Sequence, residues 1–315
     1  MILDNSFRIF MNKMGLIGRV LLYQIIILVL LCGVALACCY PLVTELSNSG
    51  YLLEFGRFIE DNLFNFRIDQ ILEGFAVLTN DFLAIISNNL GLVPFVVMLF
   101  VVFVVGGTLL LGLCELPVTE CVYGYMGSLA RLNFMGYFIS NIGRSFKFRL
   151  CKLITTFPLD LAIVCAFYGL LQLFFVGGVV SAVAPFIIIF ALLLLITIRQ
   201  SLFAEWSSSV VVNNIGIWQG LKENFKNISK NFKTVFGATA IAVIFAFAIN
   251  YGLSALTCGV GLLVSIPATI LYFRIMYNVI YFHFNGLRYY VDKDRIITSK
   301  KVEDTERIQN LRDII

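Results

Sequence analysis

NISKNFK, residues 227–233, has a near-twin 86 positions earlier in NIGRSFK, residues 141–147. Both phrases are basic and carry asparagine, and each stands just ahead of a long apolar run. Laid over one another at that offset, Leu132, Met135, Ile139, Ile142 and Phe146 fall on Trp218, Leu221, Phe225, Ile228 and Phe232. Steps of three and four residues make one stripe of an α-helix. In the second copy Lys222, Lys226 and Lys230 recur every fourth residue on another face. Such a helix is expected to lie in the headgroup plane, apolar side down, with its lysines toward anionic lipid. Arg144 and Lys147 take that role in the first copy. A shorter third version opens the chain, where Phe7, Phe10, Met14 and Ile17 form a stripe beside Arg8 and Lys13. The phrase therefore reads as the elbow of a repeated unit, an interfacial helix feeding a two-helix hairpin. Three such units make six spans. Internal repeats are common in transporters. They are also how any membrane bundle grows by duplication, so the repeat does not by itself select a function.

Composition agrees with that reading. The 315 residues are 60% hydrophobic and 13% charged, with a mean hydropathy of +0.92. A soluble domain is about one quarter charged, so the class is integral membrane protein. The apolar runs are 20–42, 92–114, 153–176, 181–203, 235–257 and 260–284. The links GGVVS (177–181) and TCG (257–259) are short enough to require tight helical hairpins. Basic residues flank these runs and do not line a soluble face, which excludes nucleic acid as a partner.

The placement of Lys and Arg sets the expected orientation. Arg8, Lys13 and Arg19 go inside with the N-terminus. Arg131, Arg144, Lys147, Arg149 and Lys152 follow, then Lys222, Lys226, Lys230 and Lys233, then the basic tail. The loop 44–90 holds only Arg57 and Arg67 of the 23 basic residues, but seven acids. The expectation is one all-α, polytopic membrane domain in the cell membrane with both termini cytoplasmic. Its parts are an amphipathic N-terminus (1–19), an acidic extracytoplasmic loop (44–90), cytoplasmic elbows (115–150 and 205–233) and a cytoplasmic tail (285–315). VALACC (34–39) also resembles a lipoprotein cleavage box, but Ala35 stands where Leu is preferred and the run continues apolar, which favours an uncleaved helix. Two amphipathic stretches of the loop, around Leu52–Leu63 and Ile68–Phe82, have three open uses: lying on the outer surface, capping the bundle, or holding a protein partner.

GYMGSLARLNFMGYFISNIGRSFKFRL (124–150) and RQSLFAEWSSSVVVNNIGIWQGLKENFKNISKNFKTVFG (199–237) resemble the cytoplasmic segments of a broad set of bacterial six-helix membrane proteins. That set includes the DUF975 and YciC-like groups and the membrane domain attached to some glycerophosphodiester phosphodiesterases. The resemblance covers mainly residues 115–285 and rests on hydropathy pattern. It implies a helix end, a short linker and an amphipathic helix entering the next span, and it implies no activity. No phosphodiesterase catalytic domain is present, and the long acidic loop departs from the pattern.

Charges inside a bilayer are costly and usually paired. Asp160, in FPLDLAIV, lies eight residues past Lys152, about 12 Å into the membrane at ~1.5 Å per residue. Arg274, in ILYFRIMY, lies at a similar depth, so an Asp160–Arg274 ion pair is expected, either as a lock between spans three and six or as a polar site; the remaining reading is that Arg274 snorkels inward and the two never meet. Pro158, Pro185 and Pro267 fall inside spans and free nearby carbonyls. Ala238, Ala242 and Ala246 make a face for close helix contact. Glu115, Glu120 and Glu205 mark span ends, and with Arg131 and Arg199 nearby they read either as an inner polar cluster or as a solvated boundary. Eight cysteines without a CxxC pair, and a single histidine, His283, give no metal site and imply no cofactor. No Walker loop, GxSxG or HExxH occurs. Three functions stay open: a non-enzymatic scaffold or accessory subunit, a permease-like carrier with a site near Asp160 and Arg274, and a lipid-modifying enzyme.

Overall fold

A computed structural model of the chain describes residues 2–64, 68–128, 133–176, 184–257, 259–292 and 295–297. The GGVVS link, Arg67, Arg131, Leu132, Cys258, Lys293 and the tail beyond 297 lie outside the described residues. In chain order the helices are α1 Ile2–Asn12, α2 Met14–Cys38, α3 Tyr40–Asn48, α4 Tyr51–Phe58, α5 Ile68–Asn88, α6 Val93–Phe100 and α7 Gly107–Gly112. They continue with α8 Glu115–Ser128, α9 Phe134–Ser140, α10 Ile142–Val176, α11 Ala184–Leu202, α12 Trp206–Val212, α13 Ile217–Leu256 and α14 Leu262–Phe284. Six segments are long and apolar enough to cross a membrane: Met14–Cys38, Leu90–Gly127, Ile142–Leu170, Phe186–Val212, Ile217–Leu256 and Leu262–Phe284. The protein is an all-α, multi-pass membrane bundle, with one small addition. Strands β1 Tyr289–Asp292 and β2 Arg295–Ile297 pair as an antiparallel hairpin.

The spans start earlier than hydropathy suggests, because the elbows are continuous with them. Each elbow breaks at a single residue. Lys13 (φ −118°, ψ 23°), Asn141 (φ −111°, ψ 11°) and Asn231 (φ −124°, ψ 18°) leave helical geometry in nearly the same way. The breaks at Asn141 and Asn231 are 90 residues apart, not 86. Glu115 and Glu205, each at the start of a short buried helix, keep the same separation of 90. The matched phrases are therefore one helical turn out of structural register: Asn141 is a break, whereas Asn227 sits inside α13.

The apolar stripes are also used unequally. In the first copy Met135, Ile139, Ile142 and Phe146 all point away from the bundle. In the second, Leu221 and Ile228 are buried while Trp218, Phe225 and Phe232 are exposed. The opening helix α1 docks on the protein, burying Ile9 and joining Asn5 to the Tyr289 hydroxyl (2.9 Å) and Asn12 to the Val291 carbonyl (3.3 Å).

Packing concentrates where the basic residues are. Residues 113–122, 203–211 and 275–282 are buried without a gap, so α8, α12 and the second half of α14 form the core. Half of the apolar window of the last span is buried, against 11–28% for the other five. Ala238 and Ala242 let α13 close on Met276, Tyr277 and Ile280 of α14, the contact expected of small residues. The two are joined through Gly259, whose positive φ of 85° suits glycine. At the opposite end, Tyr51, Phe82, Ile85 and Ile86 pack over Cys39, Leu42, Leu46 and Leu92, so the acidic loop covers the ends of spans one and two.

Candidate functional site: a buried cation network

Within the second span, α7 ends at Gly112, the chain turns at Leu113 and Cys114, and the helix restarts as α8. That restart places Glu115 in the first helical turn, where unpaired backbone N–H groups favour a carboxylate. Its side chain is only 4% exposed. Three cations reach it from two other elements. Glu115 Oε2 lies 3.2 Å from Arg149 Nη1, and Oε1 lies 2.5 Å from Lys152 Nζ and 2.7 Å from Arg274 Nη1. Arg149 and Lys152 are three apart on α10 and so share a face. Arg149 Nε also donates to the Thr108 carbonyl at 2.6 Å, and Arg274 Nη1 approaches Ser207 Oγ at 3.4 Å.

Arg149 can cross to Thr108 only over a glycine. A Cβ on Gly112 would stand 1.9 Å from Arg149 Nε and 2.5 Å from its Cζ. Gly112→Ala is expected to destabilise the bundle by about 1–3 kcal/mol through this overlap. An unfolding temperature in detergent equal to that of the parent would mean that Arg149 has another route.

A second ion pair adjoins the first group. Asp160 of α10 and Arg199 of α11 are joined by two parallel contacts, Nε to Oδ1 and Nη2 to Oδ2, the latter at 2.9 Å. This is the bidentate geometry that guanidinium groups favour. Arg199 is 29% and Asp160 39% exposed. Asp160 stands eight residues beyond Lys152 on α10, so the bridge and the Glu115 group share that helix. Together they hold four cations and two carboxylates, a formal excess of two positive charges.

Beside it lie polar groups whose hydrogen bonds are incomplete. Arg274 Nε, Asn278 Oδ1, Glu205 Oε1 and the hydroxyls of Ser201 and Ser208 are buried with no partner among the described residues. Glu205 is held by amides: its backbone N–H donates to Asn224 Oδ1 (2.9 Å) and its Oε2 accepts from Asn227 (3.1 Å).

The expected Asp160–Arg274 pair is not formed. Each has the kind of partner foreseen, but a different one: Arg199 for Asp160 and Glu115 for Arg274. Depth along a span can be read by counting residues, whereas the direction a side chain faces depends on which helices are neighbours. Asp160 faces α11, and Arg274 faces α8. Arg144 is a second correction. Its guanidinium donates to Asn214 Oδ1 (3.0 Å), Val210 O (3.0 Å) and Ile215 O (3.2 Å), so it clasps the end of α12 and is not directed at headgroups. Lys147, Lys222, Lys226 and Lys230 are exposed. Glu115, Glu120 and Glu205 are buried, not a solvated boundary. The signal that could have revealed this is the apolar sequence around them, CELPVTECV and FAEWSSSVVV, which lacks the lysines of a wet surface. Cys38 and Cys39 are free thiols, and no three His, Cys, Asp or Glu side chains converge among the described residues.

No family model matches this chain, and no curated protein or solved structure matches it either.

Proposed function

We propose that this protein is a permease-like carrier in the cell membrane that takes an anionic group at the cation network, with the basic end and both termini cytoplasmic. One observation carries the reading: among the described residues Glu115 is the one carboxylate in contact with three cations, Lys152 buried and Arg149 and Arg274 partly buried. An uncompensated buried charge is strongly unfavourable, by several kcal/mol even after relaxation. A network with excess positive charge is thus stabilised by an anion that enters it. Arg and Lys together supply planar and point-charge donors suited to an oxyanion such as phosphate. The exposed Lys147, Lys222, Lys226 and Lys230 would meet anionic headgroups at the same face. The shared break geometry at Lys13, Asn141 and Asn231 supports three copies of one elbow. That architecture is compatible with the six-helix bacterial group that the sequence resembles.

The test is anion-dependent stability. Inorganic phosphate, at fixed ionic strength, is expected to raise the unfolding temperature of the detergent-solubilised protein relative to chloride. Lys152→Met removes one of the excess cations while keeping an aliphatic side chain. It is expected to raise the phosphate-free unfolding temperature and to weaken the response. A parent protein indifferent to phosphate would overturn the reading.

The alternative is a scaffold or accessory subunit. It draws support from the first three spans, whose apolar windows are only 11–17% buried and leave wide surfaces for another protein. Co-purification of a stoichiometric protein partner, with no anion response, would favour it.

A further inference from the structure

On the same pair of helices as the Asp160–Arg199 bridge lies an open groove of about 580 Å³, lined by Ala166, Gly169, Leu170, Ala191, Leu194 and Leu195. Every lining side chain is apolar, and half of the positions are glycine or alanine, so the helices leave space where larger residues would close it. A Cβ at Gly169 would touch nothing within 4 Å.

The groove and the cations form one track. Arg199 is one helical turn beyond Leu195 on α11, and Asp160 lies six residues before Ala166 on α10, about 9 Å along the axis. The bridge therefore stands at the basic end of the groove, and its side chains are partly exposed. An ion pair exposed to hydrocarbon is unfavourable, whereas one exposed to a headgroup is not. Beyond the bridge lie Arg149, Lys152 and Arg274, which carry the positive excess. We propose that the ligand is an anionic phospholipid, with an acyl chain in the α10–α11 groove and its phosphate at Arg199 and the cations behind it. This rests on the anion reading above and extends it by naming the ligand class. The charge complementarity of cations at one end and a wholly apolar trough at the other selects an amphiphile over a free anion.

The experiment titrates the protein in neutral detergent with dioleoyl phosphatidic acid, with its short-chain dihexanoyl homologue and with inorganic phosphate, reading occupancy by native mass spectrometry and stability by thermal unfolding. The dioleoyl lipid is expected to bind at least about tenfold tighter than the dihexanoyl one, because buried methylenes add affinity. Gly169→Leu and Ala166→Leu fill the groove from positions that are themselves exposed. They are expected to erase the chain-length difference while leaving the phosphate response intact. If both lipids bind alike and the groove variants change nothing, the acyl site is wrong and the anion reading stands. If neither the lipids nor phosphate binds, both are overturned.

Discussion

Glu115→Gln is expected to prevent the bundle from holding together. The substitution keeps size and shape and removes one negative charge. Lys152, Arg149 and Arg274 would then share a largely buried space with no carboxylate in contact with them. Breaking a single buried ion pair from one side costs about 3–5 kcal/mol. Here one change breaks three contacts, so the loss should reach at least the upper part of that range. The observable is yield of monodisperse protein after detergent extraction, with the unfolding temperature of any that survives. The contrast with Lys152→Met makes the test specific: removing an anion should be ruinous, and removing a cation should not. Equal damage from both would indicate that packing, not charge balance, dominates at this position.

Trp206→Ala is the second large effect. Trp206 is fully buried and joins the two elbow units. Its ring meets Phe148 of α10 with centroids 5.2 Å apart and Phe203 at 6.0 Å, and its indole N–H donates to the Ile217 carbonyl at 2.9 Å, where α13 begins. Gly220 must be glycine for α13 to pass, since a Cβ there would lie 2.5 Å from Val210 Cγ2. Truncating a buried tryptophan costs about 3–5 kcal/mol, and the Ile217 carbonyl would also lose its donor. The start of α13 should detach first, exposing backbone beside Lys222, Lys226 and Lys230 to trypsin. Faster cleavage there than in the parent checks the prediction. Trp218→Ala is the control, because Trp218 is 57% exposed and its loss should leave the cleavage rate unchanged.

Much of the fold was legible because a bilayer imposes few solutions. Span number followed from apolar length, and the Ala238–Ala242 contact from small-residue spacing. The structural register of the two matched phrases was not legible. NIGRSFK and NISKNFK match in letters at 86, but the chain breaks at Asn141 and Asn231, because a helix can shift by one turn and still present a similar face. For the site, the sequence pointed to Asp160, Arg274, Glu115 and Arg199 as the notable charges. It could not say which faces which, since that requires neighbours and not depths. Arg144 illustrates the same point. Beside a basic phrase it reads as a headgroup contact, yet its three acceptors come from a segment about 70 residues away and include two backbone carbonyls, which no side-chain pattern displays.

The last span is the element most enclosed by the others, and it brings Arg274 to Glu115 and covers α8 and α12. It also leaves the ribosome after the five spans that precede it in the chain. Domains generally assemble in order of synthesis, but here the piece that encloses the buried glutamates and serines is made after everything it encloses. Until it inserts, the polar interior of the first five spans has no cover within the chain. Closure of that interior is therefore a late step, and the half-built bundle is the state a membrane chaperone or protease would meet.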